Sequence, residues 1–343
     1  MIGLSMMPSS NLFRLAALAG IASTAAWAQV AVPALGLLPN QGQILLVNGI
    51  PASASITGAI DFGAATGEFL QIAVSPRQNF ALVSAANNGA VLLAYANGTT
   101  SPLTGVAAFP SEIAMSPQGS AAVLWFASSR LLEIISGLPG SPAVRLINAS
   151  FLSGQTSDVP ASLAVSDDGA WGAGAWSSGV WAFGPNGETR NLLPTADRTQ
   201  GERAYALAFF TGTENLAAAT RTGIYSVSDV GGSAAVSTLY GAQSGQSPVG
   251  PAPSPSGLGI STDNQRLVMT DNAGGILTLN LSSSAVTQMN CGCSPSGVFP
   301  MGGSLFRITG LTGSVFRIFD ATAGSVFLVP LAPSAATPGS GQQ

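Results

Sequence analysis

The feature that most limits what this chain can fold into is a short segment that keeps returning. Ile72-Ala73-Val74-Ser75-Pro76, Ile113-Ala114-Met115-Ser116-Pro117, Leu163-Ala164-Val165-Ser166-Asp167, Leu207-Ala208-Phe209-Phe210-Thr211 and Leu258-Gly259-Ile260-Ser261-Thr262 share one pattern: aliphatic, small, apolar, then a turn. A weaker copy, Val298-Phe299-Pro300-Met301-Gly302, closes the series, and Leu35-Gly36-Leu37-Leu38-Pro39 opens it. The starts, at 35, 72, 113, 163, 207, 258 and 298, lie 37 to 51 residues apart. Recurrence on this scale marks a repeat architecture, in which no unit buries its apolar face alone and neighbours must stack.

The residues after each anchor repeat as well. A polar turn such as Pro117-Gln118-Gly119 or Asp167-Asp168-Gly169 leads into a short apolar run, for example Phe80 to Val83 or Ala122 to Trp125. A second, Gly-containing turn then leads to a third run, such as Val91 to Tyr95, Val180 to Phe183 or Ile224 to Val227. These are hairpin signals, and a less regular fourth strand completes each unit. Four short antiparallel strands per unit predict an all-β fold, a β-propeller of seven blades. The count falls to six if residues 35 to 60 only close the ring. Ala or Gly at the second anchor position suits a strand near a crowded axis, while Trp125, Trp171, Trp181 and Phe183 suit the widening space between blades. Closure is expected from pairing of Ile44 to Val47 with the last blade, which would remove an open sheet edge.

The chain resembles the YVTN-type and lactonase-like repeat propellers of bacterial secreted proteins over nearly all its length. Ala81-Leu82-Val83-Ser84 and Leu267-Val268-Met269-Thr270 stand where that family carries its Tyr-Val-Thr-Asn string. The resemblance implies a secreted propeller, and its enzymes place His and acidic residues at the channel mouth.

Residues 1 to 28 read as a signal peptide: Arg14, an apolar run from Leu15 to Ile21, then Ala26-Trp27-Ala28 as the cleavage site. The propeller is expected over 29 to 331, with a disordered tail over 332 to 343 and a surface loop over 241 to 256. A secreted or periplasmic location without a membrane span is expected. An outer-membrane barrel fits the repeat spacing and frequent proline poorly.

Only 8% of residues are charged, the net charge is −4, and there is no His. All eleven basic residues are Arg. Nucleic acid is excluded as a partner, because phosphate neutralisation needs a clustered basic surface. The commonest general base and metal ligand are missing too. Cys291 and Cys293 can form a local disulfide or stay as thiols, and they cannot complete a structural zinc set.

In a propeller the loops leading into the anchors share a face with the hairpins between second and third strands. That face is expected to carry Glu68, Glu112, Arg130, Asp158, Glu202, Arg203, Arg221 and Asp271, the candidate ligand-binding set, with Asp167, Asp168, Glu214 and Asp263 opposite. Carboxylates gathered there suit acid/base work or a hard cation such as Ca²⁺, and otherwise no cofactor is expected. Arg130, Arg203 and Arg221 suit an anion. The bland alternative is a set of solvated loop charges. Ser166-Asp167-Asp168-Gly169-Ala170-Trp171 falls one residue short of an Asp-box and reads as an ordinary turn. Trp171, Trp176 and Trp181 suit either sugar stacking or packing between blades. No catalytic residue can be assigned, so the leading expectation is a non-catalytic binding or scaffold module whose loop face meets a protein, glycan or small ligand. The alternative is a lactonase-like or glycan-processing hydrolase using channel-mouth carboxylates.

Overall fold

A computed structural model describes residues 34–63, 68–149, 159–194, 203–241, 254–308 and 315–330. The leader, the tail, and with them Asp158 and Glu202, lie outside the described residues. The strands form seven antiparallel sheets, each a meander in chain order, and together they make a seven-bladed propeller. Six sheets have four strands; the first has three among the described residues. No helix among the described residues is long and apolar enough to cross a membrane.

The anchors form the innermost strands: Ala34–Asn40, Phe69–Val74, Glu112–Met115, Ser162–Val165, Ala206–Phe209, Pro255–Ile260 and Phe299–Pro300. Strand alternation sends successive side chains to the two neighbouring blades. Ile113 and Met115 pack toward the second blade, and Ala114 toward the fourth. The core is accordingly divided into seven clusters, one per blade interface. Each fully buried aliphatic or aromatic side chain in them contributes about 1.5–3 kcal/mol of burial free energy. Trp125 and Trp176 meet edge-to-face at 6.0 Å, and Trp176 meets Phe183 at 5.7 Å. Trp171 is buried between the fourth and fifth blades, and Trp181 packs on the Trp176 cluster, so all three of these tryptophans belong to blade packing.

Crowding at the axis explains the small second position. A Cβ on Gly259 would lie 2.7 Å from Val298 Cγ1, and one on Gly257 would lie 2.6 Å from Gly297 Cα. Both distances are well inside van der Waals contact.

Closure differs from the expected strand exchange. Gln43–Asn48 pairs within its own sheet, with Ala34–Asn40 and Ser55–Ala59. The ring is sealed by side chains: Leu38, Leu45 and Val47 of the first blade pack on Phe316, Ile318 and Val329 of the last. A face of buried aliphatics does here what a shared ladder would do elsewhere.

On the face of the first turns, blades are tied by a belt of hydrogen bonds. Leu37 N–H donates to Gln78 Oε1 at 2.9 Å, and Arg77 Nη2 donates to Gln118 Oε1 at 2.6 Å. Asp167 accepts from Gln118 N at 2.6 Å and from Gly212 N at 2.8 Å. Asn264 and Thr211 exchange two bonds of 2.9 Å, and Thr262 N–H reaches Gly303 O at 3.2 Å. Within the turns, buried Ser116, Ser166 and Ser261 accept from the amides five residues on, at 3.0, 3.0 and 2.9 Å. Such neutral and singly charged links need no ion-pair network, which accommodates the scarcity of charge.

Candidate functional site

The seven inner strands enclose an axial cavity of about 300 Å³, lined by every blade and mostly by Leu, Ile, Val, Ala and Gly. That is the lower end of the ~300–1,000 Å³ typical of small-molecule pockets. Among the described lining residues, two, Glu112 and Arg307, are Asp, Glu, Lys or Arg.

Glu112 begins the inner strand of the third blade, opposite Trp125. An innermost strand has one edge turned to the axis without a strand partner, so its amides need other acceptors. The neighbouring blade supplies them. Ser162 Oγ accepts from Leu207 N–H at 3.1 Å, and the Glu112 carboxyl accepts from Leu163 N–H. Burial raises the Glu112 pKa to about 7, and the Leu163 bond opposes that rise. A carboxyl poised there can give or take a proton at neutral pH.

Arg307 lies on the second strand of the last blade, Leu305–Arg307, cross-strand from Phe299. It is only 5% exposed. Its guanidinium sits 4.1 Å from the centroid of the Phe299 ring. Nε is buried without an acceptor, and no hydrogen bond or ion pair reaches the group among the described residues. Burial alone lowers its pKa to about 10. Other arginines are engaged differently. Arg145 donates to the carbonyls of Gly169, Ala170 and Gly184, and Arg190 donates to those of Val230 and Gly232 while lying over Trp171.

Of the residues singled out from the sequence, Glu112 lines the cavity. Arg221 sits one residue removed: it lies 5.3 Å from the ring centroid of Tyr205, itself a lining residue, and donates Nε–H to Ser254 Oγ at 3.1 Å. Asp271 holds its own turn, accepting from the amides of Ala273 and Gly275 at 2.8 Å each. Glu68 is exposed, and Arg130 is a half-buried turn residue with φ 52°. Arg203 is half-buried with Nε lacking an acceptor among the described residues, and it is not among the cavity-lining residues. Cys291 and Cys293 are bonded to each other, with Cα atoms 5.2 Å apart.

Two buried ionisable groups among the described residues escaped the sequence reading. One is Arg307. The other is Glu133, 1% exposed on the third strand of its blade, whose two carboxylate oxygens each lie 3.1 Å from Ala107 N. Its pKa is raised by burial, against the lowering effect of that amide. Glu133 ties the linker before the third blade to the sheet and does not line the cavity.

No protein-family model matches the sequence, and no curated protein matches it either. Solved structures do. Apo AztD from Citrobacter koseri is similar at TM-score 0.54 and 10% identity, over 86% of this chain and 94% of that one. Hydrazine synthase of Kuenenia stuttgartiensis aligns at TM-score 0.49 and 14% identity, over 88% and 97%. At such identities the likeness to AztD concerns the fold alone.

Proposed function

We propose that this protein is a non-catalytic binding module, and that its ligand site is the axial cavity and its mouth. The observation that supports this reading is the composition of the lining: aliphatic side chains from all seven blades, with a single carboxyl, Glu112, among the described residues. Hydrolytic propellers need a second acid or a base within reach of the first. Asp158 and Glu202 are outside the described residues and are not invoked. We also assign the protein to the YVTN-type secreted propellers and to a location outside the cytoplasm, readings that rest on the repeat pattern and on the leader. An exported form beginning at Gln29 is the result expected from N-terminal sequencing.

The test is methyl NMR on the mature chain with labelled alanines. Ligands from a fragment set should move the methyls of Ala73, Ala114, Ala164 and Ala208, on four different inner strands. Shifts confined to outer strands or to the turns of the opposite face would overturn the reading. One observation favours a second reading, a hydrolase: the Glu112 carboxyl titrates near neutrality. Turnover of a lactone or glycan that disappears in Glu112→Gln would establish it.

A further inference from the structure

We propose that the cavity takes a small organic monoanion, a carboxylate with an apolar body, and that Arg307 holds its charge. This rests on the cavity being a ligand site. The repeat itself supplies the comparison. Opposite the small inner residue, the second strands of five other blades carry Leu82 (facing Ala73), Val123 (facing Ala114), Ala173 (facing Ala164), Ala217 (facing Ala208) and Val268 (facing Gly259). All five are aliphatic and fully buried. Those blades show what packing at this position requires, and it is not a charge. The last blade departs twice, with Phe299 in the small position and Arg307 in the aliphatic one.

The pair forms a unit. The Phe299 ring supports the guanidinium from one side at 4.1 Å, while the planar fork keeps its N–H donors unengaged among the described residues. A buried, unpaired cation is costly, and it becomes favourable only when an anion completes it. The guanidinium fork matches a carboxylate bidentately. The rest of the lining then decides what accompanies that charge. It is mostly apolar, with a few serines, Gln78 and Tyr205 among the aliphatics, so the body of the ligand is mainly apolar. Among the described residues it holds one cation, Arg307, and one acidic group, Glu112; with Glu112 in its protonated form a singly charged ligand is compensated whereas a dianion such as phosphate is not. A volume of about 300 Å³ admits a compact acid such as butyrate or benzoate.

The experiment is calorimetry on the full mature chain, with alanine-methyl NMR in parallel. The probes are butyrate and benzoate, their neutral counterparts butyramide and benzamide, and inorganic phosphate. Both acids should bind at least about tenfold more tightly than their amides, as the loss of a hydrogen bond to a charged group implies. In Arg307→Val, which restores the residue type of the other blades, that preference should vanish. Arg307→Gln is a second variant that keeps a polar group should the first fail to fold. Equal binding of acid and amide, or a preference that survives both substitutions, overturns the assignment of Arg307 while leaving the cavity reading intact. Phosphate binding more tightly than either acid overturns the carboxylate class. If benzamide moves the inner-strand methyls and neither acid does, the anion proposal fails alone. If no probe moves them, both fail.

Discussion

Arg307→Val should make the ligand-free protein more stable, although it deletes a large side chain from the core. Burial pulls the guanidinium pKa to about 10, well below that of a free guanidinium. At ~1.4 kcal/mol per tenfold, the charged form carries a cost of ~3 kcal/mol. The folded pKa lies below the unfolded one, so this cost is fully present at every pH under about 10 and is relieved only above it. Against it stands the stacking on Phe299, worth at most ~2 kcal/mol when desolvated. Valine gains burial of its own in a slot that accepts Val123 and Val268 in the third and sixth blades, though it fills less volume than Arg. A net stabilisation of ~1–3 kcal/mol is expected, comparable to what is seen when buried ion pairs give way to well-packed apolar residues. Urea unfolding at pH 6, 7 and 8 should show the gain unchanged across that window, because neither folded nor unfolded Arg titrates there. Butyrate at about a hundred times its wild-type Kd should narrow the gap by ~1.3 kcal/mol, since it adds ~2.7 kcal/mol to the wild type and only ~1.4 kcal/mol to a variant that binds it about tenfold more weakly. A variant less stable than wild type by more than ~1 kcal/mol without ligand would contradict this account, since it would mean that the guanidinium already has partners.

Glu112→Gln is expected to act through pH. The folded pKa of about 7 lies above the ordinary value of 4.5, so the stability linked to this group is fully present below pH 4.5 and lost as pH rises through 7. The variant should match wild type at pH 4.5 and exceed it at pH 8 by up to ~3 kcal/mol, read as a difference in Tm that grows with pH. Gly257→Ala places a Cβ against the backbone of Gly297 and Val298, where no rotamer change can relieve it; a loss of ~2 kcal/mol or more in urea unfolding is expected. Asp167→Ala removes the acceptor shared by Gln118 N and Gly212 N and should cost ~1–3 kcal/mol, whereas Asp168→Ala, whose bonds stay within one turn, should cost less. A double-mutant cycle of Phe299→Ala with Arg307→Val should give a coupling of ~0.5–2 kcal/mol; additivity within ~0.3 kcal/mol would mean that ring and cation do not act together.

The repeat made most of the architecture legible because packing at the axis is unforgiving. A residue such as Ala73 or Gly259 is small for a steric reason that recurs in blade after blade, and Ser116, Ser166 and Ser261 recur because the same turn needs the same acceptor. Fourth strands such as Val286–Asn290 were faint because they are largely exposed, so water tolerates almost any residue there. Closure was misread for a related reason. Alternating aliphatics at Leu45 and Val47 announce a strand with a buried face, and that pattern is the same whether the strand joins a neighbour's ladder or lies against it.

The site was harder to read because charges in loops are conspicuous and charges in strands are not. Glu68, Arg130 and Asp271 attracted notice through their place at turns, and a turn is where a carboxylate is most easily taken up by nearby amides, as Asp271 is. Arg307 interrupts a strand, where a cation has no local reason to be. The signal was nonetheless present in the weak last copy of the anchor, whose Phe299 stands in the column of Ala73, Ala114, Ala164, Ala208 and Gly259. In an ordinary fold one odd residue says little, because each position has its own packing requirement. In a propeller the other blades measure that requirement independently, so a departure can be separated from packing. A ring in the small slot gives the guanidinium a face to lie on, and a cation in the aliphatic slot carries a desolvation cost. Together they place one open charge beside an apolar cavity, an arrangement whose cost is recovered only when an anion fills it.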